Sequence, residues 1–185
     1  MQHIRPKTTE WFTYFPEDYR WSAAIGGMLG LAVVGASDMG EIDRTARKLK
    51  NKLGDDEAWF LTWQELGDEL KQKADDCRNR GHTISASVFY LRASCYYQWG
   101  ERFRTVKDDH ALNVYRKSVE CFHEHAQLSI SPKIEIVEVP YEGNFLPGYF
   151  VHAENTKKSK NPTMIFFDGL DITKELQYAR GVPEL

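Results

Sequence analysis

Cysteine is scarce in this 185-residue chain: Cys77, Cys95 and Cys121 make an odd number at wide spacing, with no C-x-x-C pair. That argues against a disulfide framework and fits a reducing compartment, here read as cytoplasmic. A surplus of positive charge is also lacking. Lys and Arg number 24 against 27 Asp and Glu, a net charge of -3 spread over both signs. No basic surface points to nucleic acid or anionic lipid, and the acidic balance is too mild to name a partner. Long hydrophobic runs are missing too. The one run that suggests a membrane, "IGGMLGLAVVGA" from Ile25 to Ala36, has about a dozen residues where a span needs roughly 20. The preceding "WFTYFPEDYRWS" is aromatic and acidic, unlike the basic start of a signal peptide. The run reads as a buried, glycine-rich helix whose glycines let a neighbouring backbone or a ligand come close.

Metal-ligand spacing is absent as well. His123-Glu124-His125 has the right residue types, but residues two apart on a helix point to different faces. Cys121 and His125 do share a face, yet two ligands are too few for zinc. Neither a metal nor a cofactor is expected. His82 and His110 fall at helix starts and read as solvated, with a histidine reaching a bound molecule as the alternative.

What the chain does have is 42% apolar and 13% aromatic residues, enough to bury a core, and no disorder-like segment. Residues 17–127 read as helices. Ser37 or Asp38 caps a helix on which Ile42, Ala46, Leu49 and Leu53 recur, and Gly54 supplies its left-handed stop. Asp55 and Asp56 open the next, where Trp59, Trp63, Leu66 and Leu70 keep the same rhythm until Gly81. A third helix, about 83–99, carries two apolar stripes: Val88, Leu91 and Cys95, then Ala86, Tyr90, Ala93 and Tyr97. A helix apolar on two faces sits between other elements. The fourth places Leu112, Tyr115, Val119, Phe122 and Ala126 on one stripe.

From Ser131 the pattern changes. "KIEIVEV" alternates apolar and charged residues as a half-exposed strand does, and Pro140 is expected to end it. Glu142-Gly143-Asn144 turns the chain and "FLPGYFVHA" returns, giving an antiparallel hairpin whose Pro147-Gly148 marks an edge or a bulge. After the charged loop "ENTKKSKN" comes Met164-Ile165-Phe166-Phe167, which does not alternate. A strand apolar on both faces needs cover on both faces and neighbours on both edges, as parallel sheets supply. Asp171 or Thr173 then caps a new helix. The expected fold class is α/β and incomplete. A helical region over 1–130 precedes a sheet start over 131–185, with the hairpin and the first buried strand. The rest of that sheet is expected from a longer parent chain or a second polypeptide.

The pair "VPYEGNFLPGYFVHA" and "FFDGLDITKE" resembles the N-terminal part of a group of α/β-hydrolase-fold enzymes. The group includes dihydroxypseudooxynicotine hydrolase, fungal hydrolases that shorten polyketide pigment precursors, and fermentation-respiration-switch esterase-like proteins. The resemblance covers roughly residues 80–185 and is best from Glu138 to Glu175. It implies that the helical region is a cap and that the hairpin opens the sheet. It also implies a nucleophilic serine on a G-x-S-x-G turn, followed by an acid and a histidine. This chain has no G-x-S-x-G, and none of its serines has a strand-turn-helix around it. The resemblance therefore places the triad outside the chain and leaves the chain alone inactive.

The same resemblance assigns one catalytic element to Asp168-Gly169-Leu170-Asp171. The loop after the third strand gives one backbone N–H to the oxyanion hole. Here the donor is the N–H of Leu170, with Gly169 letting the backbone come close. Asp168 stands where many relatives have His or Gly. Asp168 and Asp171 are candidate substrate-binding residues, and Tyr97 and Trp99 are candidate pocket walls from the aromatic cluster of the third helix. The implied substrate is a small aromatic or polyketide-like molecule cleaved at an ester or at a C–C bond beside a carbonyl. A partly apolar cap surface would suit a homodimer, although no stripe in the sequence proves one.

A different class of function competes. Trp63, Leu66 and Gly67, then Ala86, Tyr90 and Ala93, echo tetratricopeptide spacings and would make the chain a helical interaction module with a small accessory sheet. Only one poor copy is present, where three repeats are normally needed.

Overall fold

Aspartate starts most of the helices. Asp18 precedes α1 (Tyr19–Gly30) and accepts from the Trp21 amide; Asp38 precedes α2 (Met39–Ala46) and accepts from Gly40 and Glu41. Asp55 caps α3 (Asp56–Asn79) on Ala58, and Asp108 caps α5 (Asp109–Leu128) on Ala111. Each such cap satisfies an orphan N–H and contributes about 1 kcal/mol. Between α3 and α5 lies α4 (Thr83–Glu101). Short 3₁₀ turns, Leu31–Val34 and Arg47–Leu49, follow α1 and α2. Gly54 at φ 82° and Gly81 at φ 77° stop the segments before α3 and α4, a backbone state that a side chain resists. This computed structural model describes residues 12–154, 160–167 and 169–181.

The helices pack around tryptophan. Trp21, Trp59 and Trp63 are fully buried and form a ring ladder, with centroids 4.9 Å and 5.3 Å apart, that continues to Tyr96 at 5.7 Å. Helix α4 lies between α3 and α5, as its two apolar stripes require, and every residue from Ala93 to Gly100 is buried. At Gly67 of α3 an added Cβ would come within 2.5 Å of the Tyr97 ring, so the glycine sets how closely α3 and α4 approach.

The stripe read for α5 needs correction. Leu112 and Tyr115 are 42% and 38% exposed, while Ala111, Val114, Ser118, Cys121, Phe122 and His125 face inward. Ser118 and His125 of this face meet Ser94, Gln98 and Ser87 of α4.

The hairpin forms as expected. Strands β1 (Ile134–Tyr141) and β2 (Asn144–Val151) pair antiparallel with Ile134 opposite Val151 and Tyr141 opposite Asn144. Glu142 and Gly143, both at positive φ, make the two-residue turn. Pro140 does not end β1, and no bulge interrupts the register at Pro147. A two-stranded sheet is all edge, and there the missing proline N–H costs little. Ile134, Tyr149 and Val151 turn to the helices, with the Tyr149 ring 4.5 Å from that of Phe122. The opposite face shows Val139, Tyr141, Leu146 and Phe150 to solvent.

The first buried strand is not found. Met164 to Phe167 is irregular and 42–89% exposed. No strand lies beside it among the described residues, so no ladder pairs its backbone and its side chains stay largely exposed. The chain then returns to the helices through α6 (Lys174–Ala179), capped by Thr173.

Candidate functional site

The C-terminal end of α4 and the loop before α6 meet over α1. Between them is an open cleft of about 340 Å³ lined by Gly27, Leu31, Trp99, Arg102, Arg180 and Gly169 to Ile172. Four of the residues singled out from the sequence, Trp99, Gly169, Leu170 and Asp171, thus come together. Asp168 lies outside the described residues.

Trp99 is fixed from three sides. An added Cβ at Gly27 would sit 2.5 Å from the edge of its six-membered ring, so glycine leaves the indole its place against α1. The Arg102 guanidinium lies over the ring at 5.2 Å, and the Trp99 carbonyl accepts from the Trp59 indole at 2.9 Å. The Trp99 N–H itself is buried and has no partner among the described residues. Leu170 carries its side chain fully into solvent at the cleft rim.

Two bonds from α4 hold the loop. Arg102 reaches the Asp171 carbonyl at 3.5 Å and its carboxylate at 3.6 Å. One helical turn earlier, the buried Gln98 accepts from the Thr173 hydroxyl and donates to Ser118 Oγ at 2.7 Å. Tyr97 is not at the cleft. It is fully buried, its hydroxyl donates to Asp68 at 2.6 Å, and burial followed by that bond pushes its pKa up. It is a core residue.

Beside the loop runs a buried polar chain that the sequence did not reveal. Glu175, 1% exposed, accepts from Tyr149 at 2.6 Å and from Lys174 at 2.7 Å, while the Tyr149 oxygen also meets His123 Nε2 at 3.1 Å. Burial raises the Glu175 pKa, but the bonds from Lys174 and Tyr149 outweigh it and leave the carboxyl below its usual value. An acid in the first turn of a helix reads as a solvated dipole partner, so nothing in its sequence position announces this burial.

No activated nucleophile faces the cleft among the described residues. Ser87 Oγ is 2.9 Å from His125 Nδ1 of α5, but both are buried, and Ser87 lies three turns up α4, ~18 Å along the axis from Trp99. Burial pushes the Cys95 and Cys121 thiols up to about 12, which removes the thiolate. A larger hollow of about 720 Å³ includes Lys71, Asp75, Arg78, Tyr90, Glu120 and Glu124 in its lining. Most of its charges already pair with one another, Lys71 with Asp75 at 2.9 Å and Arg78 with Glu124, and the Tyr90 hydroxyl donates to Asp75 at 2.6 Å. Among the described residues no cluster could hold a metal, and no helix is long and apolar enough to cross a membrane.

No family model matches the chain. It is similar to alpha/beta hydrolase pydG of an Acremonium species, 28% identical over 167 residues that make up 89% of this chain and 38% of that protein. Hydrolase acrC of Aspergillus aculeatus is 27% identical over 184 residues, 92% of this chain and 42% of that protein. Among solved structures, 2,6-dihydroxy-pseudo-oxynicotine hydrolase superposes with a TM-score of 0.52 at 22% identity, over 65% of this chain and 32% of that one. The chain spans about two fifths of the length of these curated relatives.

Proposed function

From its kinship with the α/β hydrolases, whose fold it carries in part, we propose that the chain is the cap and sheet-opening portion of a serine hydrolase. Residues up to about 130 form the cap and 131–185 begin the catalytic core. The nucleophile, acid and histidine come from the remainder of the hydrolase domain, as more of the same chain or a second polypeptide. The substrate is a small aromatic or polyketide-like molecule, cut at an ester or at a C–C bond next to a carbonyl.

The observation that carries this reading is the convergence of Gly169, Leu170 and Asp171 with Trp99 in one cleft. The Leu170 N–H serves as an oxyanion donor. A dipole fixed before negative charge develops lowers the barrier, and losing one such donor costs about 3–4 kcal/mol. Trp99 offers an apolar wall for a planar substrate. The exposed Met164–Phe167 stretch and the outer face of the hairpin fit surfaces that a larger sheet would cover.

The test is a serine-directed fluorophosphonate probe on the native full-length protein and on the 185-residue chain. Labelling of the first and not the second is expected. An unlabelled full-length protein, or a parent gene without G-x-S-x-G within about one domain length after Leu185, would sink the reading. The helical interaction module remains the rival. It requires the isolated chain to be a soluble monomer that unfolds cooperatively, and rescue of a poorly behaved chain by a C-terminal fragment counts against it.

A further inference from the structure

We propose that Gln98 is a positioning residue that fixes the oxyanion loop to the cap through a one-directional hydrogen-bond chain. The proposal rests on the reading of Gly169–Asp171 as an oxyanion turn, although the bond chain is independent of it. The Leu176 amide donates to Thr173 Oγ1 at 3.4 Å, and the Thr173 hydroxyl donates to Gln98 Oε1. Gln98 Nε2 donates to Ser118 Oγ at 2.7 Å, and Ser118 Oγ lies 3.4 Å from Ser94 Oγ. The Thr173 hydroxyl thus accepts from Leu176 and donates to the Gln98 carbonyl, while the Gln98 amide donates to Ser118.

Gln98 is 8% exposed, and Ser118 and Ser94 are fully buried. Water therefore does not replace a lost partner, and a buried amide left unpaired is costly. A side chain of this kind is retained in an aromatic core only where both ends are used. One end is held by α5, and the other grips the cap residue of α6.

Geometry makes the grip selective for the loop. Gln98 and Arg102 are one turn apart on α4, ~6 Å along the axis. They bind Thr173 and Asp171, two residues apart on the loop, and extended residues at that separation span a similar ~6.5 Å. Helix and loop thus match in pitch over two rungs. The Arg102 rung is exposed and long, so it adds little. The Gln98 rung is part-buried: Gln98 itself is enclosed and Thr173 half-buried. Leu170, whose N–H is the oxyanion donor, lies just before this gripped segment.

Four variants of the native full-length protein test this, with p-nitrophenyl acetate as probe and amide exchange as a second readout. Gln98→Met keeps the volume and removes both bonds; Thr173→Val removes the hydroxyl; Thr173→Ser keeps it; Gln98→Glu keeps only the acceptor. Gln98→Met and Thr173→Val should lower kcat roughly tenfold to a hundredfold, the scale of a small misplacement, with KM within about twofold. Thr173→Ser should restore kcat, Gln98→Glu should fall between, and Leu176 and Ile172 amides should exchange faster only in the first two. If Gln98→Met does not fold, Gln98→Glu decides, because it leaves the Thr173 cap of α6 intact. Unchanged kcat and unchanged exchange in Thr173→Val, or no rescue by Thr173→Ser, overturns the proposal. If the unaltered protein neither cleaves the ester nor takes the fluorophosphonate, the oxyanion reading falls, and the clamp stands or falls on exchange alone.

Discussion

The helical part and the segment after it treat their large apolar residues in opposite ways. From α1 to α5 the tryptophans, Phe60, Tyr96, Tyr97 and Phe122 are almost wholly enclosed. After residue 134, Val139, Leu146, Met164, Ile165, Phe167 and Leu170 are each more than half exposed. Helices close their own backbone bonds and need only a facing surface, which α3, α4 and α5 give one another. A strand leaves half its backbone groups to a neighbour, and a hairpin with one extended stretch cannot provide them all. The same density of apolar residues therefore makes a core in one place and a bare surface in the other.

That contrast predicts where substitutions hurt. Trp63→Ala should cost about 3–5 kcal/mol in urea unfolding, because the site is fully enclosed by other rings. A cost below about 1 kcal/mol would mean that the helical part is not a packed core.

Acid should act next, and first in the helical part. Burial holds the His125 pKa down at about 4 from an ordinary 6.5. The folded state thus resists a proton that the unfolded chain takes readily. Above pH 6.5 the residue is neutral in both states and has no effect. As pH falls from 6.5 to 4 stability should drop, by about 3 kcal/mol in total. His125→Asn should flatten that slope in urea midpoints measured at successive pH values; an unchanged slope would place the titration elsewhere.

Across the junction the effect shrinks. Tyr149→Phe removes a donor from the buried Glu175 and should cost about 1–3 kcal/mol. Its mark would be faster amide exchange in both β2 and α6, since the bond joins them. The smallest change is expected at Phe167→Ser, within about 0.5 kcal/mol by urea unfolding because the ring is 89% exposed. Sedimentation should instead show less self-association of the isolated chain. A large loss of stability would show that the stretch is already packed.

How much of this was legible depends on the range of the interaction. The caps at Asp38 and Asp55 and the stops at Gly54 and Gly81 were readable because each is decided within a few residues. The α5 stripe was right at Phe122 and Ala126 and wrong at Leu112 and Tyr115, because large apolar residues draw attention while the buried face also uses Ala111 and Ser118. Met164–Phe167 has the composition of a buried strand but lacks neighbours here, and composition cannot provide them. Gly169, Leu170, Asp171 and Trp99 were named separately, and their meeting at one cleft is a tertiary fact. Gln98 and Glu175 escaped notice because a polar residue in a helix is assumed to face water until its partners are seen.

Gly27 has one more consequence. With no side chain of its own, it lets the Trp99 indole rest directly against α1. A methyl there would come within 2.5 Å of the ring and force it to move, and anything larger would intrude further. The size of the cleft is thus governed partly from beneath, by a residue of its own floor, and exchange at that single position is a simple route by which the chamber could be narrowed.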